Sequence, residues 1–218
     1  AGDFTGCVSF LGYPVFFKED HIYKVYGSIP SNFEVMGSAT LGVAKGCGGS
    51  LAIAGERLLY LSNSGVMIYS GGIPQSLHDA FGMTRLRGGR AGSDGLKYYL
   101  SAQDESGEWK LYVYDTRKGM WHIEDKTHAT HFCRYQGNTY FLTAEGEITL
   151  TGNILGAPEG CTDEGDFSWF AETGDFTEKG SSQSTSYDSV KKGIAKLWVR
   201  IEVAAGAEAK VLMQFDSD

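Results

Sequence analysis

Polar and apolar residues alternate in three short runs, 97–102, 110–115 and 120–124, within KYYLSAQDESGEWKLYVYDTRKGMWHIED. Alternation of period two gives each run one face for a core and one for water. Tyr98, Leu100, Leu111, Val113, Trp121 and Ile123 sort onto the expected inner faces. The turns between the runs, AspGluSerGly and AspThrArgLysGly, supply polar caps and positions for φ > 0, as hairpins require. The pattern predicts a three-stranded antiparallel meander.

Similar units read along the rest of the chain. The first has strands at 7–11, 15–17 and 22–26, with a looser connection over 28–48 and a further strand at 33–36. The second has a small-residue strand at 50–54, of the kind expected where sheets crowd together, followed by 57–61 and 66–69. Residues 76–81 are compatible with one helical turn between the glycine pairs Gly71–Gly72 and Gly88–Gly89. The fourth unit runs 129–135, 139–143 and 147–151. Taking His21, Gly65, Gly119 and Gly146 as equivalent turns gives spacings of 44, 54 and 27 residues. Propeller blades repeat every ~40–50 residues, so the first two spacings fit and the third is short. The expected fold is all-β, with antiparallel meanders forming partial or irregular blades of a β-propeller-like body over 1–153. A β-sandwich is the alternative. Residues 154–218 are expected to be part of a C-terminal β domain, sandwich-like, because 194–203 and 209–215 read as a long hairpin with one buried face.

Composition agrees with this reading. The chain has 218 residues, 30 of them glycine, with 13% aromatic and 42% hydrophobic residues. Such a chain is too apolar to be disordered. The net charge is −8, and the densest basic run is only Arg85, Arg87 and Arg90, so no nucleic-acid partner is expected. No apolar run is long enough for a membrane span. Cys7, Cys47, Cys133 and Cys161 are far apart and are expected to be reduced and mostly buried, with no zinc site. The chain opens on Ala1 and closes within an AspSerAsp turn, which reads as a piece of something longer.

The meanders at 15–27 (ValPhePheLysGluAspHisIleTyrLysValTyrGly) and 97–122 resemble blades of phage and prophage structural proteins from Gram-positive bacteria. The tail pieces TrpPheAlaGluThrGlyAspPhe, LysLeuTrpValArgIleGluVal and ValLeuMetGlnPheAspSerAsp resemble the C-terminal β domain of those proteins. The resemblance implies a head- or tail-associated component, located in the virion or in the bacterial cytoplasm during assembly. It carries no catalytic motif that transfers to numbered positions.

The candidate chemistry is sparse. His128 and His131 form an HxxH that enters a strand, where the spacing does not share a face. His122 and Glu124 share a face, but two ligands do not make a metal site. Residues 104–109 resemble an Asp-box turn and 113–121 a kelch blade; in both, a capping aspartate and a packing tryptophan are the expected roles. The acidic loop 162–166 lacks the spacing of a calcium loop, and 216–218 reads the same way. No phosphate loop or nucleophile elbow occurs. The expected catalytic, cofactor-binding and metal residues are none, and no cofactor is implied. The leading expectation is a non-enzymatic assembly component acting through protein–protein contacts with other phage structural proteins or itself, the 194–215 hairpin being the expected pairing edge. The alternatives are a carbohydrate-binding or sialidase-like propeller, drawing on the Asp-box-like turns and abundant aromatics, and a kelch-type scaffold. Tyr98, Tyr99, Trp109, Tyr112, Tyr114 and Trp121 are the candidates for a glycan-stacking platform, but alternation places about half of them inside, so core packing is their expected role.

Overall fold

The computed structural model describes residues 2–77, 82, 85–151, 162–163 and 208–212. The chain forms two compact units, Ala1–Ala171 and Glu172–Asp218. The expected boundary at 153/154 and most of the hairpin of 194–215 lie outside the described residues; 208–212, which include the start of its second run, are exposed and form no strand, with Val211 and Leu212 open to solvent.

The first unit holds four four-stranded sheets, each built from consecutive strands. The first sheet comprises β1 (Gly6–Phe10), β2 (Tyr13–Phe17), β3 (His21–Tyr26) and β4 (Glu34–Ala39). The second comprises β5 (Ala52–Ala54), β6 (Arg57–Ser62), β7 (Gly65–Tyr69) and β8 (Gln75–Ser76). The third comprises β9 (Arg87–Ser93), β10 (Lys97–Gln103), β11 (Trp109–Asp115) and β12 (Met120–Ile123). The fourth comprises β13 (Ala129–Tyr135), β14 (Asn138–Thr143), β15 (Ile148–Leu150) and β16 (Thr162–Asp163). All neighbouring strands are antiparallel except β15 and β16, which are parallel. The fold is all-β, and among the described residues the four sheets do not close on one another.

The sequence pattern understates the second, third and fourth units by a strand each, namely β8, β9 and β16. β9 was hidden because ArgGlyGlyArgAlaGlySer has no apolar alternation. Its absence also misaligned the third turn: Gly119 joins β11 to β12, whereas the equivalent turn carries Gly107. In the true register the second strands begin at Tyr13, Arg57, Lys97 and Asn138, so the intervals are 44, 40 and 41 residues. The repeat is regular. The strand foreseen at 33–36 runs from Glu34 to Ala39. Residues Gly48–Ser50 form a 3-10 turn, which shortens the strand foreseen at 50–54. Ser76 belongs to β8, and most of the proposed helical turn at 76–81 lies outside the described residues.

The central strands of the third sheet, β10 and β11, have no watery face. Tyr98 and Leu100 pair with Tyr114 and Tyr112 on the side facing the second sheet. Tyr99, Leu111 and Val113 lie on the other side, against Phe132 of the fourth sheet. Both faces are buried because a sheet stands on each side, which overrides the alternation rule for a half-buried sheet. Ile123, expected inside, is exposed on the last strand.

Aromatic contacts and buried hydrogen bonds join the stack. Phe10 meets Tyr69 and Phe17 meets Tyr60, with ring centres 5.8 and 5.2 Å apart, between the first two sheets. Tyr60 donates its hydroxyl to the Leu41 carbonyl (2.7 Å). Tyr98 donates to the Ser50 carbonyl (2.8 Å), tying the third sheet to the second. Ser101 Oγ accepts from Ala129 N (3.0 Å) and donates to the Thr127 carbonyl (2.9 Å), tying the third to the fourth. Burial pushes the Tyr60 and Tyr98 phenols above their usual range, so these bonds persist as neutral donors.

The first strands converge where β9 lies against both β5 and β13. The small residues serve that approach. A Cβ on Gly92 would stand 2.4 Å from Phe132 Cβ, and one on Gly89 2.9 Å from Leu61 Cδ2. Gly92→Ala should therefore destabilise the unit by about 1–3 kcal/mol through overpacking. Gly72→Ala, with no atom within 4 Å of the added carbon, should change stability by less than about 0.5 kcal/mol. Urea unfolding of the two variants checks the contrast.

Candidate functional site: an uncovered apolar face on the first sheet

The strands of the first sheet carry apolar residues at both parities. Val15, Phe17 and Ile22 turn toward the second sheet and are buried. The opposite face presents Cys7, Phe16, Tyr23, Val25 and Val35, in the cross-strand pairs Cys7–Phe16, Phe16–Tyr23 and Val25–Val35. Phe4 folds across this face, with ring centres 5.8 Å from Phe16 and 6.0 Å from Tyr23. Lys18 Nζ stands 5.2 Å from the Phe4 ring centre and 5.8 Å from that of Tyr23, within cation–π range. His21 stacks on the far side of the same patch, 5.9 Å from Tyr23. Gly37 on β4 keeps the face open, since a Cβ there would meet the Tyr23 ring at 2.8 Å. The result is an open groove of ≈ 830 Å³ lined by Phe4, Phe16, Lys18, Tyr23, Val25 and Val35. Phe4 remains 64% and Val35 61% exposed. A contiguous apolar surface of this kind is the usual mark of a contact site. The signal was present in ValPhePhe and IleTyrLysValTyr, which break strict alternation.

The residues weighed for chemistry do not assemble here. Asp104 caps its own turn: Oδ1 accepts from Ser106 N (2.9 Å) and Glu108 N (3.1 Å), and Oδ2 from Lys110 Nζ (2.7 Å). Lys126 and Lys110 both pair with Glu108. Asp115 Oδ1 accepts from Arg117 N and Lys118 N. Burial alone would raise the Asp115 carboxyl; these amides and the neighbouring cations bring it below its usual value instead. Trp109 stacks on His128 at 3.7 Å, so that histidine serves packing, and His131 is exposed on β13. Trp121 packs 5.0 Å from Tyr114 and donates Nε1–H to the Leu77 carbonyl (3.2 Å), bridging the second and third sheets. His122 Nε2 lies 3.4 Å from Glu124 Oε1. Among the described residues no group of three His, Cys, Asp or Glu side chains is placed to hold a metal ion. Residues 164–166 and 216–218 lie outside the described residues.

Tyr98, Tyr99, Tyr112 and Tyr114 are buried between sheets, in the expected core-packing role. One expectation is corrected. Cys47 is buried, but Cys7 and Cys133 are exposed thiols; Cys7 lies on the uncovered face of the first sheet. Arg90 of the basic run is engaged, donating to the Gly46 and Gly89 carbonyls.

Compared with protein-family models and with curated proteins, the chain matches none.

The Lys110 ammonium, followed by the Ser106 hydroxyl, holds the Asp104 carboxyl well below the usual carboxylate range. A depressed folded-state pKa stabilises above the unfolded value of about 3.9 and loses that contribution as pH falls through the folded value. Carbon-detected NMR titration should place Asp104 below the other aspartates, and Asp104→Asn should shed this part of the acid-unfolding limb. The uncovered face makes a separate demand. Phe17→Ala should cost about 3–5 kcal/mol, as for a fully buried aromatic, whereas Phe4→Ala should cost about 1 kcal/mol or less. Chemical denaturation of both variants measures the difference.

Proposed function

We propose that the chain is a non-enzymatic structural component of a phage or prophage particle, working through protein–protein contacts, with its four meanders as consecutive blades of a propeller-like body. The observation that carries the assembly reading is the apolar face of the first sheet. The equivalent faces of the middle sheets bear the same aromatic and aliphatic residues and are buried, while this one stands open with its groove. Burying such a face against a partner releases apolar surface from water at roughly 25 cal/mol per Å². The regular interval of 40–44 residues and the glycine-lined convergence of β5, β9 and β13 support the blade reading. The setting rests on the resemblance of 15–27 and 97–122, and above all of the tail pieces 169–176, 196–203 and 211–218, to phage and prophage structural proteins. The carboxylates Asp104 and Asp115 are committed to turn capping, which fits a scaffold. The partners are other particle proteins, met in the cytoplasm during assembly and retained in the virion.

The test is mass spectrometry of particles purified after prophage induction in the source bacterium. Peptides of this chain at stoichiometric amounts, with crosslinks from Lys18 to another particle protein, are the expected result. Complete absence from purified particles refutes the reading.

A further inference from the structure

The four sheets differ in how their last strands are protected. A terminal strand offers a row of unpaired N–H and C=O groups, and natural sheets blunt it with shortness, Lys or Pro. β8 and β16 are two residues long. β12 has four residues, and the charged run Glu124, Asp125, Lys126 follows it directly. β4 has six residues, GluValMetGlySerAla, all exposed, with no Lys, Arg or Pro and a single charge at Glu34. Val35 and Met36 are 61% and 57% exposed on opposite faces of this edge, and the exposed Ile29 and Phe33 flank it. Among the described last strands of the four sheets, β4 is the long one left without a guard.

We infer that β4 pairs antiparallel with β4 of a second copy of this chain, joining two four-stranded sheets into one of eight. The sequence of β4 is compatible with itself under two-fold symmetry. A two-fold axis perpendicular to the sheet keeps every residue on its own face, so an axis through Gly37 sets Val35 opposite Ala39 of the copy and Met36 opposite Ser38. The two Glu34 carboxylates then fall at opposite ends, about 20 Å apart at 3.4 Å per residue. That exceeds the Debye length of about 8 Å at physiological salt, so they do not repel. Gly37 sits at the centre, where Tyr23 already excludes a side chain, and leaves the meeting backbones unobstructed. The pairing also sets the two apolar grooves side by side on one surface. With one strand pair at its heart the interface is small, and association is weak and reversible.

Self-pairing rests on the assembly reading only in that both treat uncovered apolar surface as contact surface, and the two fail separately. A chain found in particles yet monomeric in solution overturns the pairing alone. A chain that dimerises through β4 yet is absent from particles overturns the setting alone. Sedimentation velocity of the full chain, from micromolar concentration upward, should show a monomer–dimer equilibrium. Val35→Lys and Met36→Lys, which place a guard on either face of the edge, should each weaken it by at least about tenfold. Met120→Lys on β12 should leave it unchanged. Hydrogen exchange of the unmodified chain provides a readout that needs no variant: β4 amides should gain protection with concentration. A monomer at every concentration overturns the inference. So does a dimer that survives Met36→Lys with β4 amides exchanging freely, since that dimer would form through another surface.

Discussion

A β-sheet with apolar residues on both faces must be covered on both faces, and the architecture of the first unit follows from that requirement. The third sheet shows it most fully. Tyr98, Leu100, Tyr112 and Tyr114 serve one interface while Tyr99, Leu111 and Val113 serve the other. Such a sheet cannot stand alone in water, because whichever face was left open would expose aromatic and aliphatic area. Stacking solves this by making each sheet the cover of the next. The polar groups trapped in the process are satisfied across the seams: Tyr98 on the Ser50 carbonyl, and Ser101 on Ala129 and Thr127. The same bonds fix the order and spacing of the sheets.

Local chemistry was readable where it is self-contained. The Asp104 and Asp115 turns were legible because an aspartate followed two to four residues later by backbone donors and a glycine is a closed structural statement. The hairpins β6–β7, β10–β11 and β13–β14 were legible because their strands alternate or carry β-branched and aromatic residues. β9 was not, since its identity as a strand comes from the neighbours that need its glycines to approach, and no side chain announces it. The double-sided burial of β10 and β11 was likewise illegible, because an apolar residue at an outward parity records that something covers it without recording what.

The candidate site inherits both the clarity and the gap. Phe16, Tyr23 and Val25 could be placed on strands from their sequence, but their common face and its openness depend on Phe4 folding back and on Gly37 leaving room for Tyr23. The aromatic residues between 98 and 121 are conspicuous because they are many and close in sequence. Their density reflects a core wedged between two sheets.

Almost every strand in the unit pairs with its sequence neighbour, within repeats of about 40–44 residues. This connectivity has a consequence for synthesis. A nascent chain completes the hairpins of one sheet before the next has left the ribosome, so each finished sheet offers a template onto which its successor condenses. Closing short loops in order keeps the entropic cost of every step small. The growing end carries an apolar face that the following repeat conceals, and solvent-exposed hydrophobic surface during translation is limited to about one sheet at a time.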